Sequence, residues 1–268
     1  MTMDTQASGL DLTVQDVSVA FGGVQALRSV SLHAPAGRIT AVIGPNGAGK
    51  TSLFNTISGF YKPSGGRIHL GGTDITSAPL HARAGMGLAR TFQNVALFRG
   101  LSVLQNIKLG GHHAMRSGML SSLLATPAAR REEMALRSAV EDVIDFLELD
   151  NVRHKPVEML SYGLQKRVEL ARGLAMSPKV LLLDEPVAGM NREETEDMAR
   201  FILDVQEERG VTIVLVEHDM GMVMDISHHV AVLNFGELIA QGTPAEVARH
   251  PEVVKAYLGG EPAAANAC

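Results

Sequence analysis

The run Gly44-Pro45-Asn46-Gly47-Ala48-Gly49-Lys50-Thr51, followed by Ser52, stands directly behind the apolar segment 39–43. Gly44, Gly47 and Gly49 let the backbone fold tightly with successive N–H groups pointing inward. A helix opening near Lys50 adds its positive end, so the run is suited to hold phosphate. Lys50 is placed to reach the β and γ phosphates of a nucleotide, and the Thr51 hydroxyl to hold Mg²⁺. By average composition such a run arises by chance in roughly one chain of this length per hundred. A plain glycine-rich turn is the competing reading, which the buried-type strand before it and the helix-type run 50–58 after it disfavour.

Two further places carry chemistry. Asp184 closes an apolar run, where an unpartnered acid is costly, so it is expected to face a cation, and Mg²⁺ shared with Thr51 is the natural candidate. Glu185 beside it can take a proton from the water that attacks the γ-phosphate. Taken alone, Glu185 reads better as an ion-pairing or helix-end residue; beside a phosphate loop and Asp184 the base reading is stronger. Glu217-His218 closes another apolar run, whereas His112-His113 and His228-His229 lack metal-ligand spacing with nearby acids or cysteines.

These groups need elements to position them. Residues 39–43, 180–183 and 212–216 resemble strands buried on both faces, and each is followed at once by the residues above. In open α/β sheets ligands bind beyond the carboxyl ends of parallel strands, so the three groups are expected to converge on one site. Met198, Phe201, Ile202 and Val205 keep helical spacing, as do Val140, Val143, Ile144 and Leu147. Leu164, Val168, Ala171 and Ala175 predict a helix over 164–176, which Ser177-Pro178 stops.

Leu10, Leu12 and Val14 alternate, and Val17, Val19 and Phe21 alternate in the other phase, which predicts antiparallel strands with a bulge between. Residues 230–233 and 238–240 flank Asn234-Phe235-Gly236-Glu237, the signature of a hairpin. Residues 93–150 are helix-rich, interrupted at Gly110-Gly111, Gly118 and Thr126-Pro127, and read as an inserted helical subdomain with a mobile loop over 115–129. Gly259-Gly260 and the alanine-rich tail beyond read as disordered.

With 268 residues, 46% of them apolar, the chain can bury one large core with a smaller subdomain attached. A net charge of -5 gives no general electrostatic reason to bind nucleic acid or anionic lipid. No apolar run approaches the about 18 residues that span a bilayer, and the polar start lacks the regions of a signal peptide, so the chain is expected to stay in the cytosol. The sole cysteine, Cys268, excludes an internal disulfide or a cysteine-rich metal site.

The segment Leu160-Ser161-Tyr162-Gly163-Leu164-Gln165 adds a family. Together with the phosphate loop, Gln93, Asp184-Glu185 and His218 in this order, it resembles the ATP-binding subunits of ABC transporters over almost the whole chain. The resemblance implies an α/β P-loop NTPase core with a mainly parallel sheet, an N-terminal antiparallel β subdomain and an inserted helical subdomain. One domain over 1–258 would contain the helical part at about 94–177, with 259–268 as a tail. It also implies that ATP is held by residues 44–52, that Phe21 stacks on adenine, and that Ser161, Gly163 and Gln165 bind ATP held by the opposite subunit. Gln93 would sense Mg²⁺ and water, Glu185 would act as the base, and His218 would contact the γ-phosphate. The metal would lie among Thr51, Gln93 and Asp184.

Two positions depart from the general pattern: Tyr162 stands at a usual glycine and Asn191 at a usual aspartate. Both fit one subgroup, because Arg90-Thr91-Phe92-Gln93-Asn94, Glu217-His218-Asp219-Met220 and Gly242-Thr243-Pro244-Ala245-Glu246 look like the larger ATPase subunit of branched-chain amino-acid importers. Relatives in urea and short-chain amide uptake look much the same, and a lipid or lipopolysaccharide exporter is the nearest rival within transport. The implied partners are a second ATPase subunit, integral permease subunits at the inner face of the cytoplasmic membrane and, indirectly, an extracytoplasmic solute-binding protein. Val95, Ala96, Leu97 and Phe98 are candidates for a groove that receives a permease helix, with at least two of the four expected in the core. A DNA-repair ATPase would carry long coiled coils, a ribosome-associated one two phosphate loops, and a free-standing kinase no Ser161 segment; none of these patterns is present.

Overall fold

The computed structural model describes residues 9–91, 96–111 and 127–258. Two sheets share the chain. A four-stranded antiparallel sheet has the order β2-β1-β4-β5, formed by Leu12–Phe21 (β1), Val24–Ala34 (β2), Gly65–Leu70 (β4) and Thr73–Asp74 (β5). A six-stranded sheet has the order β10-β9-β3-β8-β7-β6 and comprises Ile39–Ile43 (β3), Leu88–Arg90 (β6), Val180–Asp184 (β7), Thr212–Val216 (β8), His229–Asn234 (β9) and Glu237–Gly242 (β10). All its pairings are parallel except β9 with β10.

Alternation along the central strands divides the core in two. Ile39, Ala41 and Ile43 of β3, with Leu181, Leu183, Ile213 and Leu215, face one apolar cluster; Val42, Val180, Leu182, Val214 and Val216 face the other. Helices Tyr162–Leu174 (α5) and Arg192–Arg209 (α6) cover the first face through Val168, Ala171, Phe201, Ile202 and Val205. The helix Lys50–Ser58 (α1) and the four-stranded sheet cover the second through Phe54, Ile57, Leu12, Val14 and Ile68. Full burial of each valine, leucine, isoleucine or phenylalanine here contributes roughly 1.5–3 kcal/mol, and with both faces covered β3, β7 and β8 carry no exposed position.

Between β6 and β7 the described residues form helices Val103–Gly111 (α3), Pro127–Phe146 (α4) and α5, with single 3₁₀ turns at Asp150–Val152 and Val157–Met159. Leu80–Gly85 (α2) precedes β6, and Met220–Ile226 (α7), Pro244–Ala248 (α8) and Pro251–Leu258 (α9) complete the chain. No described helix is long and apolar enough to cross a membrane.

Several expectations are corrected. Gly110 and Gly111 do not interrupt a helix but are helical residues of α3, and a Cβ on Gly110 would come within 2.1 Å of the Arg172 carbonyl oxygen, so glycine there permits two helices to touch. The strands expected around 10–21 are one strand, β1, with a register shift between Val14 and Val17, where Asp16 adopts φ 49° and is held by Ser31. The hairpin turn is only Phe235-Gly236, both at positive φ, because a two-residue left-handed turn matches strand twist. Helix α5 starts two residues earlier than expected, since Ser161 already caps it. Of the loop expected at 115–129, residues 115–126 lie outside the described residues and Pro127 onward is helical. The tail 259–268 also lies outside them.

Candidate functional site

Strand β3 delivers its chain directly into residues 44–49, and α1 begins at Lys50 behind Gly49, whose φ of 104° no ordinary side chain adopts comfortably. Gly44 has a steric reason as well: a Cβ there would lie 2.1 Å from the Leu233 carbonyl oxygen of neighbouring β9. The Lys50 ammonium is buried and donates to the carbonyl oxygens of Gly44 at 2.7 Å and Pro45 at 3.1 Å. Burial pushes its pKa below the usual lysine range, while the carboxylates of Glu185 and Asp184 pull it back up.

A cavity of about 610 Å³ opens over this loop, lined by residues 46–52 together with Glu185, His218, Arg28, Val24 and Phe235. Glu185 follows the last residue of β7 and His218 lies two residues beyond the end of β8, so adjacent parallel strands bring them together. Nε2 of His218 lies 3.0 Å from Oε1 of Glu185. Glu185 sits at φ 49°, a strained value for a residue with a Cβ, and its N–H donates to the Val216 carbonyl at 2.9 Å. Phosphate loop, carboxylate and imidazole therefore share one opening.

Asp184, buried at the end of β7, faces a cation of the chain itself, Arg90, whose guanidinium donates to its Oδ2 at 2.7 Å. Arg90 ends β6 and also donates to Asn55 Oδ1 at 2.7 Å and Ser58 Oγ at 2.8 Å, which ties α1 to Asp184. Sequence reasoning missed this role, because only the pairing of β6 with β7 places the arginine there. Gln93 lies outside the described residues; Thr91 before it is buried and donates its N–H to Leu182 at 2.9 Å.

Phe21 is not among the residues that line the cavity. It ends β1, 46% exposed, with its ring edge-on to Tyr61 at 4.8 Å. Val24, which follows the Gly22-Gly23 turn, and Phe235 of the hairpin are the exposed apolar side chains over the loop, and neither was singled out from sequence. Pro45 lines an adjacent hollow with Asn234 and with Glu252 and Lys255 of α9.

Ser161 and Gly163 stand elsewhere. The Ser161 hydroxyl caps α5 by accepting the Leu164 N–H at 3.4 Å, and the two residues share a hollow of about 200 Å³ with Arg167, Glu193, Glu194 and Asp197. Gln165 turns its amide back to the Leu160 carbonyl at 3.0 Å. A Cβ on Gly163 would meet Glu194 Oε1 at 2.5 Å, and Glu194 in turn completes the capping box with Asn191 at the start of α6. None of these residues lines the phosphate-loop cavity. Of the four residues 95–98, Val95 lies outside the described residues, Ala96 and Phe98 are exposed, and Leu97 is half-buried against the core.

Residues 27–188 match the family described as ABC transporter, and residues 237–263 match that described as branched-chain amino acid ATP-binding cassette transporter. The high-affinity branched-chain amino acid transport ATP-binding protein BraF of Pseudomonas aeruginosa is 42% identical over 251 residues, covering 92% of this chain and 97% of that protein. LivG of Escherichia coli, described in the same words, is 39% identical over 248 residues, with 92% and 97% covered. Among solved structures, a nucleotide-free ATP-binding cassette from an ABC transporter superposes with a TM-score of 0.80 at 30% identity, covering 92% of this chain and 98% of its own.

Proposed function

The chain belongs to the ATP-binding proteins of the ABC transporter family, and from that premise we propose that it binds and hydrolyses ATP to drive uptake of branched-chain amino acids across the cytoplasmic membrane. The observation that carries the reading is the meeting of the phosphate loop, Glu185 and His218 at one cavity. The match of the C-terminal residues 237–263 and the likeness to BraF and LivG support the amino-acid cargo.

In this reading the loop N–H groups and the positive end of α1 hold the triphosphate, and Lys50 leaves the loop carbonyls to meet the β and γ phosphates. Mg²⁺ fits the hard oxygen donors present, the Thr51 hydroxyl in the cavity and the Asp184 carboxylate at the end of β7, and when bound it neutralises developing phosphate charge. Glu185 accepts the proton of the attacking water, and His218, within hydrogen-bond distance of Glu185, steadies that water against the γ-phosphate. Ser161 and Gly163 cap the ATP of a second ATPase subunit across a head-to-tail interface, and closure of that interface moves permease subunits that sit in the membrane above. The chain then works at the inner face of the membrane, supplied with solute by an extracytoplasmic binding protein.

Glu185→Gln tests the chemistry: turnover falls at least about 10²-fold while ATP binding persists, read by phosphate release and nucleotide titration. Near-normal turnover overturns the assignment. Reconstitution with the permease and binding protein tests the cargo: leucine uptake that depends on ATP supports it, and uptake of urea or short amides in its place overturns it.

A further inference from the structure

Glu217 stands immediately before His218 and is 2% exposed. Its carboxylate faces inward and binds the main chain of two separate loops. Oε1 accepts the Val187 N–H at 2.9 Å, and Oε2 accepts the His218 N–H at 2.8 Å and the Asp219 N–H at 3.4 Å. Val187 lies two residues beyond Glu185, so one side chain grips the segment after the proposed base and the segment that carries the switch histidine.

A buried carboxylate is tolerated only where charge and hydrogen bonds compensate its lost hydration. Three N–H donors supply part of that compensation. Lys166 of α5, 3% exposed, is a cation in the same region: its ammonium donates to the Glu185 carbonyl oxygen at 3.3 Å, and the charge of Glu169, and after it that of Glu217, acts on it. A Thr or Gln at position 217 would satisfy fewer of these main-chain groups, and neither would carry the charge that stands near Lys166.

We propose that Glu217 is a positioning residue for hydrolysis: the two oxygens of its carboxylate set Glu185 and His218 at their 3.0 Å separation, so that base and histidine act as a unit. The proposal rests on the roles given above to Glu185 and His218. A carboxylate that merely satisfied loop amides would stabilise the fold without linking the two residues kinetically.

The test is a double-mutant cycle on the full-length chain with MgATP, reading kcat, KM and thermal midpoint for E217Q, H218A, their combination, and E185Q. Glutamine keeps one acceptor oxygen and turns an NH₂ toward the other loop, so E217Q is expected to lower kcat about 10-fold or more with KM for ATP within about twofold. H218A is then expected to cost little further in the E217Q background, the double variant staying within about threefold of the slower single. Losses that multiply, or an E217Q protein that melts earlier yet turns over at the normal rate, overturn the proposal. E217D, which keeps the charge but withdraws both oxygens by one methylene, carries the same cycle if E217Q does not fold. Full turnover in both E185Q and H218A overturns the site reading itself; reduced turnover in those two with full activity in E217Q overturns this inference alone.

Discussion

Two helix starts in this molecule have the form of an anion site, α1 at Lys50 and α5 at Tyr162, and their surroundings are opposite. The first has an ammonium at its centre and a carboxylate and an imidazole across the opening. The second is lined by Glu193, Glu194 and Asp197, and its one guanidinium, Arg167, is 3.3 Å from Asp197. A phosphate has counter-charge and reacting groups at α1 within one chain, whereas at α5 it meets a polar cap in an acidic rim. The two hollows share no lining residue, so the proposed catalytic and capping roles fall on separate parts of one chain, as the head-to-tail reading requires.

That contrast is most open to attack through the charges. Lys50→Ala is expected to weaken ATP binding by the isolated chain about 10²-fold or more, by nucleotide titration, because it removes the ammonium between loop and phosphate. Ser161→Arg is expected to leave that affinity within about threefold and to abolish the ATP-dependent dimer in light scattering. Equal loss of ATP binding in both variants would erase the distinction between the halves.

A smaller effect sharpens the capping half. Gly163→Ala drives a methyl onto the Glu194 carboxylate and disturbs the capping box of α6, a loss of about 1–2 kcal/mol that lowers the thermal midpoint by about 2–4 °C per kcal/mol. Glu194→Ala removes the carboxylate that the methyl meets, so Gly163→Ala should cost less in a Glu194→Ala background than in the wild type, and an equal cost in both would mean that the close contact is not the cause.

The weakest handle acts under the phosphate loop. His228 accepts the Ile39 N–H at the start of β3 through Nδ1 at 3.2 Å, and burial, with the nearby Arg38 charge, holds its pKa below the usual histidine value of 6.5. A folded-state pKa below the unfolded one favours the neutral ring, so this contribution is complete above about pH 6.5 and is lost as the pH falls through the folded pKa. The wild-type midpoint is expected to drop more than that of His228→Gln between about pH 7.5 and 5.5. Parallel midpoint curves for the two proteins would refute it.

Much of the lining of the cavity over α1 could be read from local sequence, because a buried strand and the residue after it are adjacent in the chain. The apolar runs that became β3, β7 and β8 led directly to Lys50, Asp184 and His218. Arg90 was not legible as the partner of Asp184, since the two are 94 residues apart and meet only through strand order. Nor was the inward aim of Glu217, a charged residue that by type belongs outside. Phe21, expected at an adenine ring, ends β1 half-exposed with its ring edge-on to Tyr61, a neighbour 40 residues away that only the fold supplies. Gly110-Gly111 misled for a physical reason too, because glycine marks close helix approach as readily as it marks a break.

Strand β6 is three residues long and, among the described strands, pairs with β7 alone. Strands in the middle of the sheet are held by a ladder on each side, whereas this edge strip has one ladder and the side-chain bonds of Arg90. Arg90 at its tip grasps both α1 and Asp184, so this short edge strip buckles the helix behind the loop to the acid that closes β7, and a change of the guanidinium loosens both at once.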